Sequence, residues 1–211
     1  MEIGIIDYGM GNLRSVAKGF EKAGATARII TTPHEVNEAC ALVLPGVGAF
    51  KDCIKNLDTL GLITPVLTHL QSGKPFLGIC LGLQVLFSES VEFGVTPGLG
   101  VLDGKVVRFQ RDEQKKEPGL KIPHMGWNTI SASRKPPHLA GVADGSFLYF
   151  VHSYYVVPDD PRIIATTTRY GCEFVSSIWK DNIFACQFHP EKSQSIGLQI
   201  LKNFAALAAK N

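Results

Sequence analysis

The sequence predicts an α/β fold, a mostly parallel sheet with helices on both faces and an added antiparallel strand region. In the first half, short continuous apolar runs alternate with segments whose apolar residues recur at helical spacing. Strands that are apolar throughout are typical of parallel sheets covered on both faces. From about residue 99 to residue 187 the pattern changes to strand-like runs separated by turns. We find no repeat, linker or change of composition, so we predict one domain, residues 1–211.

The first half is predicted to begin with a strand, a loop and a helix. The apolar run Ile3–Ile6 predicts the strand, and apolar residues at helical spacing follow from residue 13 to residue 20. We expect Asn12 to be the N-cap, because its side chain supplies an acceptor, and Gly24 to follow the helix, because glycine tolerates positive φ. Helical segments also follow the last two of three further strands, predicted at Ala27–Ile30, Ala41–Leu44 and Phe76–Ile79.

The second half is predicted to be rich in strands. Asp181 and Asn182 indicate a hairpin turn between the last two strands, and a helix at residues 196–209 follows them. Residues 110–121 mix charges of both signs, which predicts a solvated loop. The predicted strands are residues 106–109, 147–157, 163–168, 174–179 and 183–188.

The composition excludes several classes of protein. The chain has 211 residues, of which 45% are hydrophobic and 19% charged, so it can bury a core and is not disordered. Its net charge of +2 gives no basic surface for nucleic acid. The longest uncharged stretch, residues 59–73, is shorter than the roughly 20 apolar residues that span a bilayer. The N-terminal segment has neither a basic region nor a cleavage site, which predicts a cytoplasmic protein.

The five cysteines do not predict disulfides or a metal site. They are odd in number and irregularly spaced, with no C-x-x-C pair. Cys186 and His189 have a metal-like spacing, but they lie in a predicted strand, where residues three apart point to opposite faces. We therefore expect no metal ion and, since no nucleotide-binding signature is present, no cofactor. The pattern is that of a single reactive cysteine in an intracellular enzyme.

Cys80 lies in a motif that is typical of a nucleophile. The segment Gly78-Ile79-Cys80-Leu81-Gly82 places the cysteine between a strand and a helix, with glycine two residues before and after it. Such a turn projects the side chain at a helix N-terminus, where the dipole and free N–H groups favour a thiolate. The N–H of Leu81 would face an oxyanion on an attacked carbonyl. The alternative is that Cys80 is a buried packing residue.

His189 is the best candidate for the base that such a thiol needs. It ends an apolar strand and precedes Pro190, which favours an extended backbone at His189. In an extended chain residues i and i+2 face the same way, so Glu191 is placed to orient the imidazole. The result is a Cys–His–carboxylate triad. The other histidines are weaker candidates, although the first two are better placed than the rest: His124 and His152, then His34, His69 and His138.

These motifs resemble the class I (triad) glutamine amidotransferases, and the resemblance covers the whole chain. It is carried by Pro-Gly-Val-Gly at 45–48, Gly-Ile-Cys-Leu-Gly-Leu-Gln at 78–84 and Gln-Phe-His-Pro-Glu-Lys-Ser at 187–193. The resemblance implies a flavodoxin-like central sheet and the hydrolysis of L-glutamine to glutamate and ammonia. Within the family, the chain is similar to the glutaminase subunits of histidine biosynthesis at residues 8–12, 123–128 and 150–154.

The resemblance also implies roles for individual residues. Cys80 would form a thioester with the glutamine side chain, His189 would transfer protons, and Glu191 would orient His189. The oxyanion hole would be formed by Leu81 with the glycine-flanked loop that contains Val47 and Gly48. Residues expected to bind the substrate are Gly48, Gln84, Ser153 and Tyr154; Gln84 is also one helical turn after Cys80 and so on the same face.

A partner is implied in the same way. Glutaminase subunits of this kind deliver ammonia to a (β/α)8 cyclase subunit, which makes imidazole glycerol phosphate and an aminoimidazole carboxamide ribotide. This sequence shows no second active-site motif that could consume the ammonia itself. Residues in the resembling motifs without a catalytic role are assigned to the docking face, namely Asn12, Met125, Trp127, Asn128 and Lys192.

Other functions remain open from the sequence. The chain could be the glutaminase subunit of another class I amidotransferase, such as pyridoxal phosphate synthase, although the segment at 123–128 argues against this. A cysteine peptidase-like hydrolase would share the nucleophile, but it would not need the amide of Gln84 next to it. A flavodoxin-like binding module with an inert Cys80 is the non-enzymatic alternative.

Overall fold

An eight-stranded sheet organises the computed structural model of the chain, which describes residues 2–110 and 121–210. Its first five strands are mutually parallel, and the last three continue the sheet in antiparallel fashion. In spatial order the strands are β2 (Ala27–Ile30), β1 (Ile3–Ile6), β3 (Ala41–Gly46), β4 (Phe76–Cys80), β14 (Ile183–Cys186), β13 (Cys172–Lys180), β12 (Ile164–Tyr170) and β9 (Ser131–Ala132).

Two smaller sheets carry the remaining strands of the described residues. The first has four strands in the order β11 (Tyr154–Pro158), β7 (Leu102–Arg108), β5 (Phe87–Ser90) and β6 (Thr96–Pro97). The second is an antiparallel pair, β10 (Phe147–His152) and β8 (His124–Thr129). The predicted charged loop at 110–121 falls almost entirely outside the described residues.

Helices cover both faces of the large sheet, because alternate residues of its strands point to opposite sides. In β3, Leu42 and Leu44 join one hydrophobic core, whereas Ala41 and Val43 join the other. In the described residues no helix is both long and apolar enough to cross a membrane. The helices are α1 (Leu13–Lys22), α2 (Pro33–Glu38), α3 (Phe50–Thr59), α4 (Ile63–Gln71), α5 (Leu81–Gln84) and α6 (Gln194–Ala208).

The predicted α/β class, with its mostly parallel sheet and added antiparallel region, is confirmed. Two local expectations differ from the structure. The single strand expected at 147–157 is two strands that separate at Ser153 and pair in different sheets, β10 with β8 and β11 with β7. A continuous apolar pattern cannot show a change of pairing partner, since both pieces alternate in the same way.

The second difference is the helix after Cys80. It is α5, a single turn, and the chain then enters β5. A turn of this length has little macrodipole, so the expected dipole stabilisation of a thiolate reduces to the free N–H groups of that turn.

The ends of α1 follow the prediction in part. Asn12 occupies the N-cap position, but its side chain makes no capping hydrogen bond. Gly24 follows the helix with φ of +80°, as expected for a glycine at this position.

Gly197 lets α6 approach the turn that follows His189. A Cβ built on Gly197 would lie 1.9 Å from the carbonyl oxygen of Pro190 and 2.8 Å from Cβ of Ser193. In an ordinary helix an alanine would be more stable than a glycine by about 1 kcal/mol. We expect Gly197→Ala instead to reduce the free energy of unfolding by about 1–3 kcal/mol, because backbone must move. Urea unfolding measures this, with Ser195→Ala in the same helix as the control; a stabilised Gly197→Ala would contradict the packing described.

Candidate active site

Cys80 is the last residue of β4 and adopts a backbone conformation that non-glycine residues rarely have, with φ of +56° and ψ of −104°. The glycines around it are required by space. A Cβ on Gly78 would lie 2.7 Å from the carbonyl oxygen of Gly82, and a Cβ on Gly82 would lie 1.8 Å from that of Leu44. The sequence G-x-C-x-G therefore forms the tight strand-to-helix turn that was predicted.

The parallel pairing of β4 with β14 brings the second half of the site to Cys80. Ile79 lies opposite Cys186 in the register, so both strands end at the same edge of the sheet. The chain beyond β14 then runs past Cys80. Gln187 is the first contact, with its Nε2 3.5 Å from the Cys80 sulfur.

His189 and Glu191 form a buried pair. Nδ1 of His189 lies 2.8 Å from Oε1 of Glu191, and both side chains are 1% exposed. Because Nδ1 is hydrogen-bonded to the carboxylate, Nε2 is the ring nitrogen that can exchange a proton with another group. Nε2 is buried and makes no other hydrogen bond. The contact between base and carboxylate was predicted, but the backbone was not, since Pro190–Lys192 forms a 3-10 turn instead of an extended segment.

The pKa of His189 is raised to about 10. Burial alone lowers the pKa of this imidazole, but the charge of Cys80, followed by the hydrogen bond and the charge of Glu191, more than offsets that effect. The folded chain therefore holds the His189 proton more tightly than the unfolded chain does. The stability that this group contributes is complete below about pH 6.5 and is lost as the pH rises toward 10.

The backbone of His189 is also fixed. Its N–H donates to the Tyr149 carbonyl at 2.8 Å, and its carbonyl accepts from the Ser193 hydroxyl at 2.6 Å. The same hydroxyl accepts from the Tyr149 N–H at 2.9 Å. Ser193 thus ties the histidine turn to β10. This serine ends the motif at 187–193 but has no predicted role, and nothing local in the sequence indicates its contact with Tyr149.

A cavity of about 240 Å³ opens in front of Cys80. Its wall contains all the residues predicted for the oxyanion hole and for substrate binding. Apart from Cys80 itself, the residues of the wall that were not predicted for either role are Glu92, Pro123, Val151 and His152. The full wall consists of Val47, Gly48, Cys80, Leu81, Gln84, Glu92, Pro123, Val151, His152, Ser153 and Tyr154.

The two expected sources of oxyanion-hole N–H groups are adjacent. Leu81 begins α5, so its N–H has no acceptor within the helix. Gly46 lies opposite Cys80 in the β3–β4 register, which brings the loop containing Val47 and Gly48 beside Leu81. Gly48 has φ of +103°, and a Cβ there would lie 2.7 Å from Cε of Met10. Glycine is therefore needed at this wall of the cavity.

Two polar side chains set the chemistry of the cavity wall. Nε2 of Gln84 donates at 3.0 Å to both the Tyr154 carbonyl and Oε1 of Gln187, so only its Oε1 is left for a ligand. Gln84 can thus recognise a ligand as an acceptor rather than as a donor. Glu92 supplies a carboxylate to the wall while its Oε2 accepts from the Phe50 N–H at 2.7 Å. Glu92 lies in a turn between two short strands, where the sequence gives no signal for it.

The residues predicted for docking divide into two groups. Met125 and Trp127 are 62% and 45% exposed, which is unusual for large apolar side chains. Lys192 lies with its Nζ 5.8 Å from the ring of Tyr149, which in turn packs edge-on against Trp127. Asn12 is exposed. Asn128 differs, because its side chain bonds to His124 and to the Arg169 carbonyl and so faces the interior.

Within the described residues, no group of three or more His, Cys, Asp or Glu side chains could hold a metal ion. Cys186 faces a core, where its Sγ lies 3.4 Å from the Phe188 carbonyl oxygen.

A parallel sheet that carries a cysteine, a buried histidine and a glutamate at its carboxyl edge has the arrangement of a triad-type thiol enzyme. Residues 4–208 match the family model for class-I glutamine amidotransferases, and the chain belongs to that family. It is 56% identical to the imidazole glycerol phosphate synthase subunit HisH of Geobacter sulfurreducens, over 98% of this chain and 99% of that one. It is 58% identical to the HisH subunit of Syntrophotalea carbinolica, over 95% and 97% of the two chains.

Solved structures of lower identity share the fold. A putative GMP synthase protein from Thermoplasma acidophilum superimposes with a TM-score of 0.72 at 20% identity, covering 100% of this chain and 94% of that one. A crystal structure of a glutamine amidotransferase gives 0.70 at 20% identity, covering 98% of each chain. These two similarities establish the architecture.

Replacing Glu191 with glutamine is expected to lower the pKa of His189 from about 10, because a neutral amide no longer stabilises the imidazolium. Turnover should fall by about 10²- to 10⁴-fold. An NMR titration of the His189 ring in Glu191→Gln measures the first effect. His138, whose pKa burial lowers to about 4, is an internal control that should not move. An unchanged titration of His189 would show that Glu191 does not act on it.

Proposed function

We propose that this chain is the glutaminase subunit of an imidazole glycerol phosphate synthase and hydrolyses L-glutamine to glutamate and ammonia. The single observation that carries the proposal is the buried His189–Glu191 pair beside Cys80, whose charge raises the pKa of His189. The identity of 56% to 58% with HisH subunits over nearly the whole chain selects this synthase among the amidotransferases.

In the first half of the reaction, the sulfur of Cys80 attacks the side-chain amide carbon of glutamine. A carbon–sulfur bond forms, and the carbonyl oxygen becomes an oxyanion that the N–H of Leu81 and the loop of Val47 and Gly48 stabilise. The carbon–nitrogen bond then breaks. His189 gives its proton to the leaving nitrogen, so ammonia departs and a thioester remains on Cys80.

In the second half, His189 takes a proton from water, and the resulting hydroxide attacks the thioester through a second oxyanion. The carbon–sulfur bond breaks, the new carboxyl group of glutamate gives its proton to solvent as the product leaves, and the thiolate of Cys80 pairs again with protonated His189. Glu191 keeps its charge throughout, and it stabilises the imidazolium each time that ion forms.

The cavity wall accounts for recognition of an amino acid. Among the described residues of the wall, Glu92 is the only acidic or basic side chain other than the neutral His152, and we assign its carboxylate to the ammonium group of glutamine. The free Oε1 of Gln84 accepts a further N–H from the ligand. The backbones of Gly48, Ser153 and Tyr154 complete the wall around the rest of the substrate.

Delivery of ammonia explains why a partner is needed. Simple amines are mostly protonated at neutral pH and are then not nucleophilic, so ammonia must reach its acceptor before it meets water. We assign the acceptor to a (β/α)8 cyclase subunit, which docks on the exposed Met125 and Trp127 and the half-buried Lys192, with Asn12. In this proposal Asn128 supports the docking strand from inside rather than contacting the partner.

The cellular compartment of the protein and its single domain belong to the same proposal. All five cysteines are unpaired, which agrees with a cytoplasmic enzyme, since reducing conditions keep thiols free. The family match over residues 4–208 agrees with one amidotransferase domain across the chain.

Cys80→Ala is expected to abolish glutamine-dependent synthesis by the assembled synthase while leaving ammonia-dependent synthesis intact, because the substitution removes the nucleophile and not the scaffold. The two nitrogen sources are compared side by side in the presence of the cyclase and its nucleotide substrate. Cys53→Ala, at another buried cysteine, is the matched control and should keep both activities. Loss of both activities in Cys80→Ala would mean that Cys80 has a structural role.

The isolated chain is expected to hydrolyse glutamine slowly and to be activated by the cyclase with its nucleotide bound, because hydrolysis without an acceptor wastes glutamine. One misplaced oxyanion donor in the Val47–Gly48 loop would account for a loss of about 10²–10³-fold. Trp127→Ala should weaken activation or partner binding, whereas Ile29→Ala, at an exposed apolar residue of β2, should not. Equal glutaminase rates for the chain alone and in the complex would contradict activation.

A further inference from the structure

The carbonyl of Tyr154 fixes the direction of a buried chain of hydrogen bonds. A backbone carbonyl can only accept, so both side chains that contact it must present N–H groups. Those contacts are Nε2 of Gln84 at 3.0 Å and Nδ1 of His152 at 2.8 Å. The orientation of the Gln84 amide and the tautomer of His152 are therefore both determined by this one acceptor.

From Gln84 the hydrogen-bonded chain continues to the nucleophile. Because Gln84 presents its NH₂ group, the neighbour at 3.0 Å from that nitrogen must be an acceptor, and this is Oε1 of Gln187. The other end of the Gln187 amide is then Nε2, which lies 3.5 Å from the sulfur of Cys80. Rotating the Gln187 amide by half a turn would oppose two NH₂ groups and turn a carbonyl oxygen toward the sulfur.

From the Tyr154 carbonyl in the other direction, the hydrogen-bonded chain passes through two histidines. Since Nδ1 of His152 donates, its Nε2 accepts, and the donor at 3.0 Å is Nδ1 of His124. Nε2 of His124 then accepts from the side-chain amide of Asn128 at 3.3 Å. Burial lowers the pKa of His152 to about 3 and that of His124 to about 4, so both rings are neutral and each has one donor and one acceptor.

We propose that Gln187 is a further catalytic residue, whose Nε2–H donates to the Cys80 sulfur and stabilises its thiolate. Gln187 is fully buried, and its own N–H is held by the Ser176 carbonyl at 2.9 Å. Gln84 is a positioning residue that keeps the donor end of Gln187 on the sulfur, and His152, supported by His124, is a positioning residue that holds the Tyr154 carbonyl to which Gln84 donates. A hydrogen bond to an ionised acceptor is worth more than a neutral one. That the thiolate attacks glutamine rests on the proposed function.

Gln187→Met tests the donor, because methionine has a similar length and no N–H. The rate of Cys80 alkylation by iodoacetamide at pH 7, followed on the Cys80 peptide by mass spectrometry, should fall about tenfold, and kcat for glutamine should fall with it. His138→Phe is the control, since it removes a buried histidine that stacks on Phe184 and takes no part in these hydrogen bonds. A folded Gln187→Met with wild-type alkylation overturns the proposal. Absence of glutamine hydrolysis by the wild-type complex would instead overturn the proposed function.

His124 offers a test of positioning that separates hydrogen bonding from packing. Its ring stacks on Tyr170 with centroids 3.9 Å apart, so His124→Phe keeps the ring and removes the donor to His152. His124→Asn keeps a donor near the place of Nδ1 and removes the ring. We expect slower Cys80 alkylation in His124→Phe, by about threefold or more, and a rate near that of wild type in His124→Asn. The reverse order would show that His124 acts only by packing.

NMR of the wild-type chain and of Cys80→Ala keeps the proposal falsifiable if Gln187→Met does not fold. The side-chain amide resonances of Gln187 should shift in Cys80→Ala, whereas those of Gln199, bonded to Asn203, should not. The ring nitrogens of His152 and His124 should both show a proton on Nδ1. A proton on Nε2 of either ring, or an unmoved Gln187 amide, overturns the assignment.

Discussion

The parallel pairing of β4 with β14 is the constraint on which the candidate active site depends. Opposing Ile79 to Cys186 makes two strands from distant parts of the chain end at one edge of the sheet. Cys80 and the segment from Gln187 to His189 then leave that edge side by side. A shift of one residue would turn every side chain of β14 to the other face and separate the nucleophile from its base.

Burial of the charged side chains in the candidate site costs free energy. Each charged group would be costly alone, since transfer from water disfavours ions. His189 and Glu191 are both almost fully buried, yet the pKa of His189 is raised rather than lowered, because Cys80 and Glu191 supply compensating charge. Oε2 of Glu191 makes no hydrogen bond to any residue that the structure describes. The carboxylate therefore directs its interaction to His189 through Oε1 alone.

Three glycines allow the chain to pack closely around the candidate site. Gly78 and Gly82 permit the strained turn at Cys80, and Gly48 permits a left-handed turn at the cavity wall. Unfavourable backbone conformations of this kind persist only when the surrounding structure holds them. Here β3, β4 and α5 supply that support, so the strain of Cys80 is confined to the residue that projects the nucleophile.

The sequence by itself determined the features that depend on local geometry. The alternation of apolar runs with helical spacing predicted the sheet and its covering helices, and G-x-C-x-G predicted the turn at Cys80. The pairing of His189 with Glu191 was also predicted, although from an extended backbone; the structure forms the pair through a 3-10 turn at Pro190–Lys192 instead. Both partners lie within one short segment, so no tertiary contact had to be known.

Only the tertiary structure decided which polar groups meet across the fold. Gln84 and Gln187 are 103 residues apart, and Gln187 and Cys80 are 107 apart, so no periodicity in the sequence relates them. The same holds for Glu92 at the cavity wall and for Asn128, which faces inward although its neighbour Trp127 is exposed. Residue type limits what a side chain can donate or accept. Which acceptor it reaches depends on the strand register and on the Tyr154 carbonyl, and these are set only when distant strands pack together.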